Sequence, residues 1–530
     1  ALAYLAIQVA AAPYRKPSDN LLATGCSLSL TMMFLLCLLF KYAELTQLDE
    51  LNMTPEQRTY IYRFEGTTFS GLLMATCVST FALLACIIIA QAANEARRQQ
   101  REARAARARR LRHVSNGMEV VLGAPVIPPV ASTNHRPTHA MGSASGRFHI
   151  FLSHVWGTGQ DQMRIVKQRL LEMLPDAAIF LDVDDLREGK GGEYVDVSSI
   201  TLVFCSGGYF ESPNCLREIL RAVVTKKPII ALLESEAKHG GMTLEEIREQ
   251  LKAADEPRRA DGAQYASFYE MCGLAAEVKS WGYDMPNAEA IHAALFAQDP
   301  IEWVRIGAFQ DVTLRLIGER LVPRSGSTGD DAGEARFYVQ DELARERPVL
   351  RKPVKRFHVY CSRHNEGAME LLGELAEKLG VELQIISSYE SGAPINDKRS
   401  SPQLSLRVAT IEGQLSACDH MLVYLNDLTW TKGDQSAHFA DEVKHAMDAG
   451  VHLLLAHEML GMGQSQRHPC QFDNFYKCHR GATPQELLLR KIYDEIAIPL
   501  RGGPWRETSM VMLANRLAAA TAGVSASGFR

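Results

Sequence analysis

Two long uncharged apolar runs constrain this chain more than any other feature. "LLATGCSLSLTMMFLLCLLF" (Leu21–Phe40) holds twenty residues without a charge, and a second uncharged stretch, Thr67–Asn94, contains "FALLACIIIA". As helices, both are long enough to cross a hydrocarbon core about 30 Å thick. A buried core helix can explain one such run; two in succession predict a transmembrane hairpin, with helices at about 21–40 and 67–93.

The flanking charges predict its orientation. "ARRQQREARAARARRLRH" follows the second run with eight arginines against one glutamate, and Arg15 and Lys16 precede the first. The intervening Lys41–Gly66 carries five acids and three bases. Basic flanks stay on the cytosolic side, so both ends are expected in the cytosol and the short loop outside. Asn52-Met53-Thr54 is a sequon on the permitted side, weakened by Pro55. Strong helix formers separate the arginines, so this run continues the second span as a helix and is expected to contact anionic membrane lipid. Nucleic acid is the rival partner for such a run. A net charge of −5 and a membrane tether argue against it.

Eleven cysteines lack paired spacing, and Cys26, Cys37, Cys77 and Cys86 lie in the apolar runs, which excludes a secreted disulfide scaffold. His468, Cys470, Cys478 and His479 cluster, but the irregular spacing and lack of a second knuckle give no reason to expect metal.

Beyond Met118–Gly146, whose Pro, Ser and Gly predict a flexible spacer, short apolar runs alternate with amphipathic ones. "RFHIFLSH" (Arg147–His154), "AAIFLDV", "SITLVFCS" and "PIIALLE" read as buried strands; "DQMRIVKQRLLEML" and "SPNCLREILRAV" read as helices between them. This alternation predicts an α/β fold, a parallel sheet covered by helices on both faces, with ligands beyond the carboxyl ends of its strands.

The pattern recurs. "RFHVYCSR" (Arg356–Arg363) echoes the first strand, "HMLVYLN" the third, and "FADEVKHAMDAGVHLLLAHE" echoes "CLREILRAVVTKKPIIALLE". Without a gap, Glu218 falls on Glu442, Ala222 on Ala446 and Glu234 on Glu458. A late tryptophan (Trp303, Trp505) precedes a helix ending Arg-Leu in each copy. Two adjacent copies of one α/β domain are expected, separated by the Gly-, Pro- and charge-rich Val322–Lys355.

"SPNCLREILRAV" opens with a capping Ser212 and Pro213 in the first turn, then carries an apolar stripe of Leu216, Ile219, Leu220 and Val223. Glu218 falls in its first two turns, where the helix dipole favours a carboxylate. Taken alone it is an ordinary helix residue.

With "HIFLSH" as first strand and "FLDVDDLREGKGG" as second strand and following loop, this helix makes Arg147–Val322 resemble a Toll/interleukin-1 receptor (TIR) domain. The second copy is similar in outline only, a degenerate TIR-like domain. The resemblance implies two flavodoxin-like three-layer α/β/α domains behind the hairpin. It divides the chain into a cytosolic lead-in (1–20) expected to continue an upstream region, the hairpin (21–94), a basic helix and linker (95–146), the TIR domain (147–322), a linker (323–355), the TIR-like domain (356–520) and a tail (521–530).

Some TIR domains are scaffolds that signal by assembly; others cleave NAD. In the cleaving members, among them plant immune receptors, the animal axon-degeneration TIR protein and bacterial defence proteins, a glutamate in a pattern like Ser-x-x-Cys-Leu-x-Glu-Leu is essential. Ser212, Cys215, Leu216, Glu218 and Ile219 occupy that pattern, which assigns Glu218 the catalytic role. The chemistry suits a lone carboxylate: nicotinamide leaves neutral from a cationic pyridinium, and a fixed anion stabilises the ribosyl cation left behind. NAD is then substrate, with no cofactor and no metal, although Asp182, Asp184 and Asp185 could be read as a metal cluster. The resemblance also implies an NAD-facing set of Ser153, His154, Trp156, Asp182, Gly189, Lys190, Ser206 and Cys215. The basic residue usual after the first strand is missing from Ser-His-Val-Trp; His154 can substitute, and Trp156 can stack on a base or pack. Gly189, Gly191 and Gly192 loosen the following loop, where Arg187 and Lys190 supply charge for contact with another TIR domain. Glu442 marks a second candidate site. The expected activity is NAD cleavage on self-association at the membrane, with the two TIR-like domains docking on each other. The alternatives are a non-catalytic adaptor acting by TIR–TIR assembly, or the tail of a larger channel-like or receptor protein.

Overall fold

A computed structural model of the chain describes residues 2–11, 13–14, 17–47, 54, 56, 66–127, 147–185, 191–259, 265–322, 336–380, 383–388, 411–461, 463–476 and 482–520. They fall into two compact units, residues 1–107 and 108–530.

The first unit is helical. Leu2–Ala11 (α1) lies against Pro17–Gln47 (α2), where Ser27 Oγ donates to Gln8 Oε1 at 2.5 Å. The third helix, Gly66–Ala108 (α3), carries the second apolar run through most of the arginine-rich segment, as its helix formers predict. Leu22–Lys41 and Met74–Ala108 are long and apolar enough, by length and composition, to cross a membrane. Phe34, Leu38, Phe81 and Ile89 stand exposed on these helices, so their apolar faces are not spent on a core of their own.

The second unit contains two five-stranded parallel sheets built to one plan. Its strands are Leu111–His113 (β1), Phe148–Ser153 (β2), Ile179–Phe180 (β3), Ser198–Cys205 (β4), Ile229–Glu234 (β5), Arg258–Arg259 (β6), Tyr265–Ala266 (β7), Ile301–Trp303 (β8), Phe337–Val339 (β9), Phe357–Cys361 (β10), Ile385–Ser387 (β11), Cys418–Leu425 (β12), His452–Glu458 (β13) and Ile498–Leu500 (β14). The first sheet runs β3-β2-β4-β5-β8 and the second β11-β10-β12-β13-β14, all neighbours parallel. In each, the first strand in the chain lies between the second and third. The chain therefore reverses its direction of winding there, which opens a crevice at the carboxyl ends.

Both faces of each sheet are covered. Along β2, Ile150 and Leu152 pack on one side with Met163, Val166 and Leu170 of Trp156–Met173 (α4) and Phe309 and Val312 of Gly307–Leu321 (α8). Phe151 packs on the other with Pro213–Val224 (α5), Leu244–Asp255 (α6) and Ala288–Leu295 (α7). The second sheet is covered by Ala368–Leu379 (α9) and Arg506–Ala520 (α11) on one face and Asp434–Asp448 (α10) on the other.

The echo between "RFHI" and "RFHV" extends to hydrogen bonds. His149 Nδ1 accepts from Ala178 N at 2.9 Å and Nε2 reaches Gly123 O at 2.8 Å; His358 Nδ1 accepts from Gln384 N at 3.1 Å and Nε2 reaches Arg351 O at 2.9 Å. In both, the ring pins the start of the first strand to the segment entering the second.

Three expectations change. The arginine-rich run ends as strand β1 rather than helix, and the spacer and linker are not structureless throughout: β1 pairs antiparallel with β9, and Leu111, Val120, Leu122, Phe337 and Val339 enter the first core. Their apolar side chains cover a flank of the first half that Arg147–Val322 leaves open. The two tryptophans are not equivalent. Trp303 ends β8 inside the first core, whereas Trp505 precedes α11 and donates across to Phe309 O and Thr313 Oγ1, both at 3.2 Å. The lead-in contains the apolar helix α1, on whose structure the sequence reading was silent. Next to Trp505, Arg501 Nε donates to Glu302 Oε2 at 3.1 Å, a buried ion pair joining the two halves.

Candidate functional site

The crevice of the first sheet lies between β2 and β4, and local sequence aims three elements at it. Serine 212 caps α5, its Oγ accepting from Cys215 N, and Pro213 starts the first turn. The buried face of α5 comprises Cys215, Leu216, Glu218, Ile219, Leu220 and Ala222, so helical phase alone turns Glu218 inward with the apolar residues. Its residue exposure is 8%.

Ser153, the last residue of β2, donates from Oγ to Glu218 Oε2 at 2.6 Å. The Tyr209 hydroxyl, also buried, lies 2.6 Å from the same Ser153 Oγ and 3.4 Å from Cys215 O. With Ser153 donating to the carboxylate, Tyr209 donates to Ser153, forming a chain of hydroxyls that ends on Glu218. Burial is the main cause that pushes the Glu218 carboxyl up, to about 8; the Ser153 bond opposes it, Asp182 adds to it and Arg217 opposes it. The Cys215 thiol, pushed up to about 12 chiefly by burial, points to His154 O at 3.3 Å. It is a neutral packing group, not a nucleophile.

Glycine 191 faces the same carboxyl with φ +87°, and a Cβ there would sit 2.7 Å from Glu218 Oε1. Gly191→Ala therefore has to force an unfavourable left-handed backbone and displace the carboxyl. A loss of about 1–2 kcal/mol from the backbone alone is expected, read as a lower thermal midpoint.

His154, Trp156 and Asp182 form a second group. Trp156 Nε1 donates to Asp182 Oδ2 at 2.8 Å while the residue as a whole is 65% exposed, which leaves the indole accessible for stacking. His154 Nε2 lies 3.7 Å from Asp182 Oδ1. His154 is buried, and burial lowers its pKa against the opposing pull of Asp182, so the ring is neutral at pH 7. It does not supply the missing cation.

Ser206, one of the NAD-facing set implied by the resemblance, pairs with Thr158 Oγ1 at 2.8 Å. Thr158 belongs to a cleft of about 410 Å³ over the carboxyl ends of the sheet, lined also by Trp156, Gly157, Lys238, His239 and Arg305. Its cations are partly neutralised: Arg305 Nη2 lies 2.8 Å from Glu234 and Lys238 Nζ 3.0 Å from Glu236. The first turn of α4 opens at this cleft with no side-chain cap on its backbone N–H groups.

Gly189 and Lys190, with Arg187, lie outside the described residues, as do Cys478 and His479. Of the acidic run, Asp184 pairs with Lys167 at 3.2 Å. Sequence reasoning missed Tyr209, Thr158 and the cations Lys238, His239 and Arg305, and it named Gly191 for loop freedom without its place against Glu218. A tyrosine following "CSGG" at a strand end was the one local signal; the others come into play only through folding.

In the second half, Glu442 occupies the matching place on α10 and is buried beside Ser362 and Tyr360. Glu234 and Glu458 also correspond: each ends its strand buried, and each binds an arginine, Arg305 at 2.8 Å and Arg506 at 3.1 Å. Compared with models of protein families and with curated protein sequences, the chain matches none.

Proposed function

We propose that this chain is a membrane-anchored signalling protein whose first half is a TIR domain of flavodoxin-like, three-layer fold that cleaves NAD. The second half is a TIR-like partner docked on it, and both lie on the cytosolic side of a two-helix hairpin. The observation that carries this reading is Glu218: a carboxyl turned inward at the winding reversal of a parallel sheet, held by Ser153 and acted on by Asp182, which in turn accepts from the exposed Trp156.

The reaction breaks the bond between the ribose anomeric carbon and the pyridinium nitrogen. The electron pair goes to nitrogen, nicotinamide leaves neutral, and water adds to the ribosyl cation, giving ADP-ribose and a proton. Glu218 as an anion stabilises the developing cation, and its fixed position costs no reorganisation in the transition state. Trp156 offers a face to a base, and the cleft beside it offers the uncapped turn of α4 and Lys238, His239 and Arg305 to a diphosphate.

The raised pKa sets the pH dependence. In the free protein Glu218 is protonated below about 8, so kcat/KM is expected to rise about tenfold per pH unit up to that point. The cationic pyridinium favours the anion once bound, so the rise in kcat falls at lower pH. The test is nicotinamide release by the full chain in vesicles containing anionic lipid, followed from pH 5.5 to 9 at low and high protein density. Release that climbs with density and pH supports the reading; intact NAD at every density leaves the assembly scaffold.

A further inference from the structure

The second half repeats the winding reversal of the first, and the residues at its crevice form a cluster of their own. Ser362 directly follows β10 as Ser153 ends β2, and Glu442 on α10 corresponds to Glu218 on α5. Glu442 is 4% exposed. Its carboxyl is raised mainly by burial and lowered by the Ser362 and Tyr360 hydroxyls and by Arg363 and His438. One of its oxygens, Oε2, accepts no hydrogen bond from the described residues. A buried acceptor left unpaired costs about 1–3 kcal/mol, a cost that a ligand's donor or positive charge removes.

The exposed rim of this cluster has the opposite sign. Arg363 and His438 are exposed, His364 is half-buried, and the His364 and His438 rings lie 5.2 Å apart. Arg363 Nε donates to His364 Nε2 at 3.2 Å, which directs the guanidinium to the same rim. His438 stands one helical turn before Glu442, so rim and carboxyl share a face of α10. An inner anion with an outer basic rim suits a ligand whose cationic end lies a short distance from anionic groups.

From this juxtaposition we infer that the second half is a second pyridine-dinucleotide binding site: the pyridinium riboside meets Glu442, and the diphosphate meets Arg363 and His438. The ligand class rests on the reading of the first half as an NAD-cleaving domain. The site itself rests on Glu442 and its rim.

Equilibrium dialysis of labelled NAD against the full chain in detergent tests it, using Glu218→Gln as parent so that the first half does not consume the ligand. Adding Glu442→Gln is expected to remove one equivalent of bound NAD per chain, and adding His438→Ala to weaken that equivalent at least tenfold. Glutamine keeps the shape of Glu442 and His438 is exposed, so thermal midpoints near the parent's identify folded variants. Unchanged stoichiometry in a folded Glu442→Gln chain overturns the inference, whether the parent binds one equivalent or none. The two readings fail separately. The nicotinamide release lost with Glu218→Gln reports on the first half, and the equivalent lost with Glu442 reports on the second.

Discussion

Glu218→Gln is expected to lower nicotinamide release by at least about 100-fold, mainly in kcat, because the lost interaction grows with charge in the transition state. Glutamine preserves shape and can still meet Ser153, so the fold survives. Ser153→Ala removes one bond to the carboxylate and is expected to cost less, about tenfold, and to shift the alkaline rise in kcat/KM upward, since that bond favours the anion. A structural role alone for Glu218 predicts a different pattern: retained release and lost stability.

Stability should in fact move the other way. The Glu218 pKa is raised in the folded protein, to about 8 against an ordinary 4.5. The folded state therefore holds a proton that the unfolded chain releases between these values. Its contribution to stability is complete below the unfolded pKa and is lost as pH rises through the folded one. At pH 9 wild type bears a buried, desolvated anion that Glu218→Gln lacks. The variant should thus be more stable at pH 9 by on the order of a few kcal/mol, read as a higher unfolding temperature, with the gap narrowing towards pH 5. A variant that loses activity and gains alkaline stability marks a residue kept for chemistry.

The second large effect concerns the junction of the halves. Arg501→Ala or Glu302→Ala strands the partner charge, since Arg501 is 2% and Glu302 6% exposed. Breaking a buried pair in this way costs about 3–5 kcal/mol. The thermal midpoint should fall for either variant, and the pairing of Arg501→Met with Glu302→Leu should recover most of the loss. Equal midpoints for wild type and both alanine variants would mean that water reaches the pair. Trp505 packs beside it against Phe309 and Thr313, so the same variants should also expose its fluorescence to quenchers.

Most of the fold was legible because it is written in local periodicity. Apolar runs bounded by polar residues marked β2, β4 and β5, the amphipathic stripe marked α5, and uninterrupted apolar length marked α2 and α3. The repeated "RFH" and the aligned Glu218 and Glu442 signalled two sheets, and two sheets of identical strand order are present. What escaped was non-local. β1 and β9 lie more than 200 residues apart and are three residues each, too short for any pattern to announce their pairing. Trp303 and Trp505 looked alike because both precede a helix, yet one completes a strand and the other reaches into the opposite half.

The candidate site divides along the same line. Helical phase within "SPNCLREILRAV" determined that Glu218 turns inward beside Cys215 and Ile219, and a capping Ser212 with Pro213 determined where that helix starts. Sequence alone also set the length and apolarity of α2 and α3. Only the tertiary structure decided that Ser153, 65 residues away, would hold the carboxylate, that Tyr209 would back it, and that Ser206 would pair with Thr158. It also decided that His154 would be buried and neutral. The reason is physical: periodicity reports which face of an element is buried, whereas hydrogen-bond partners and desolvation depend on which other elements the sheet order brings to that face.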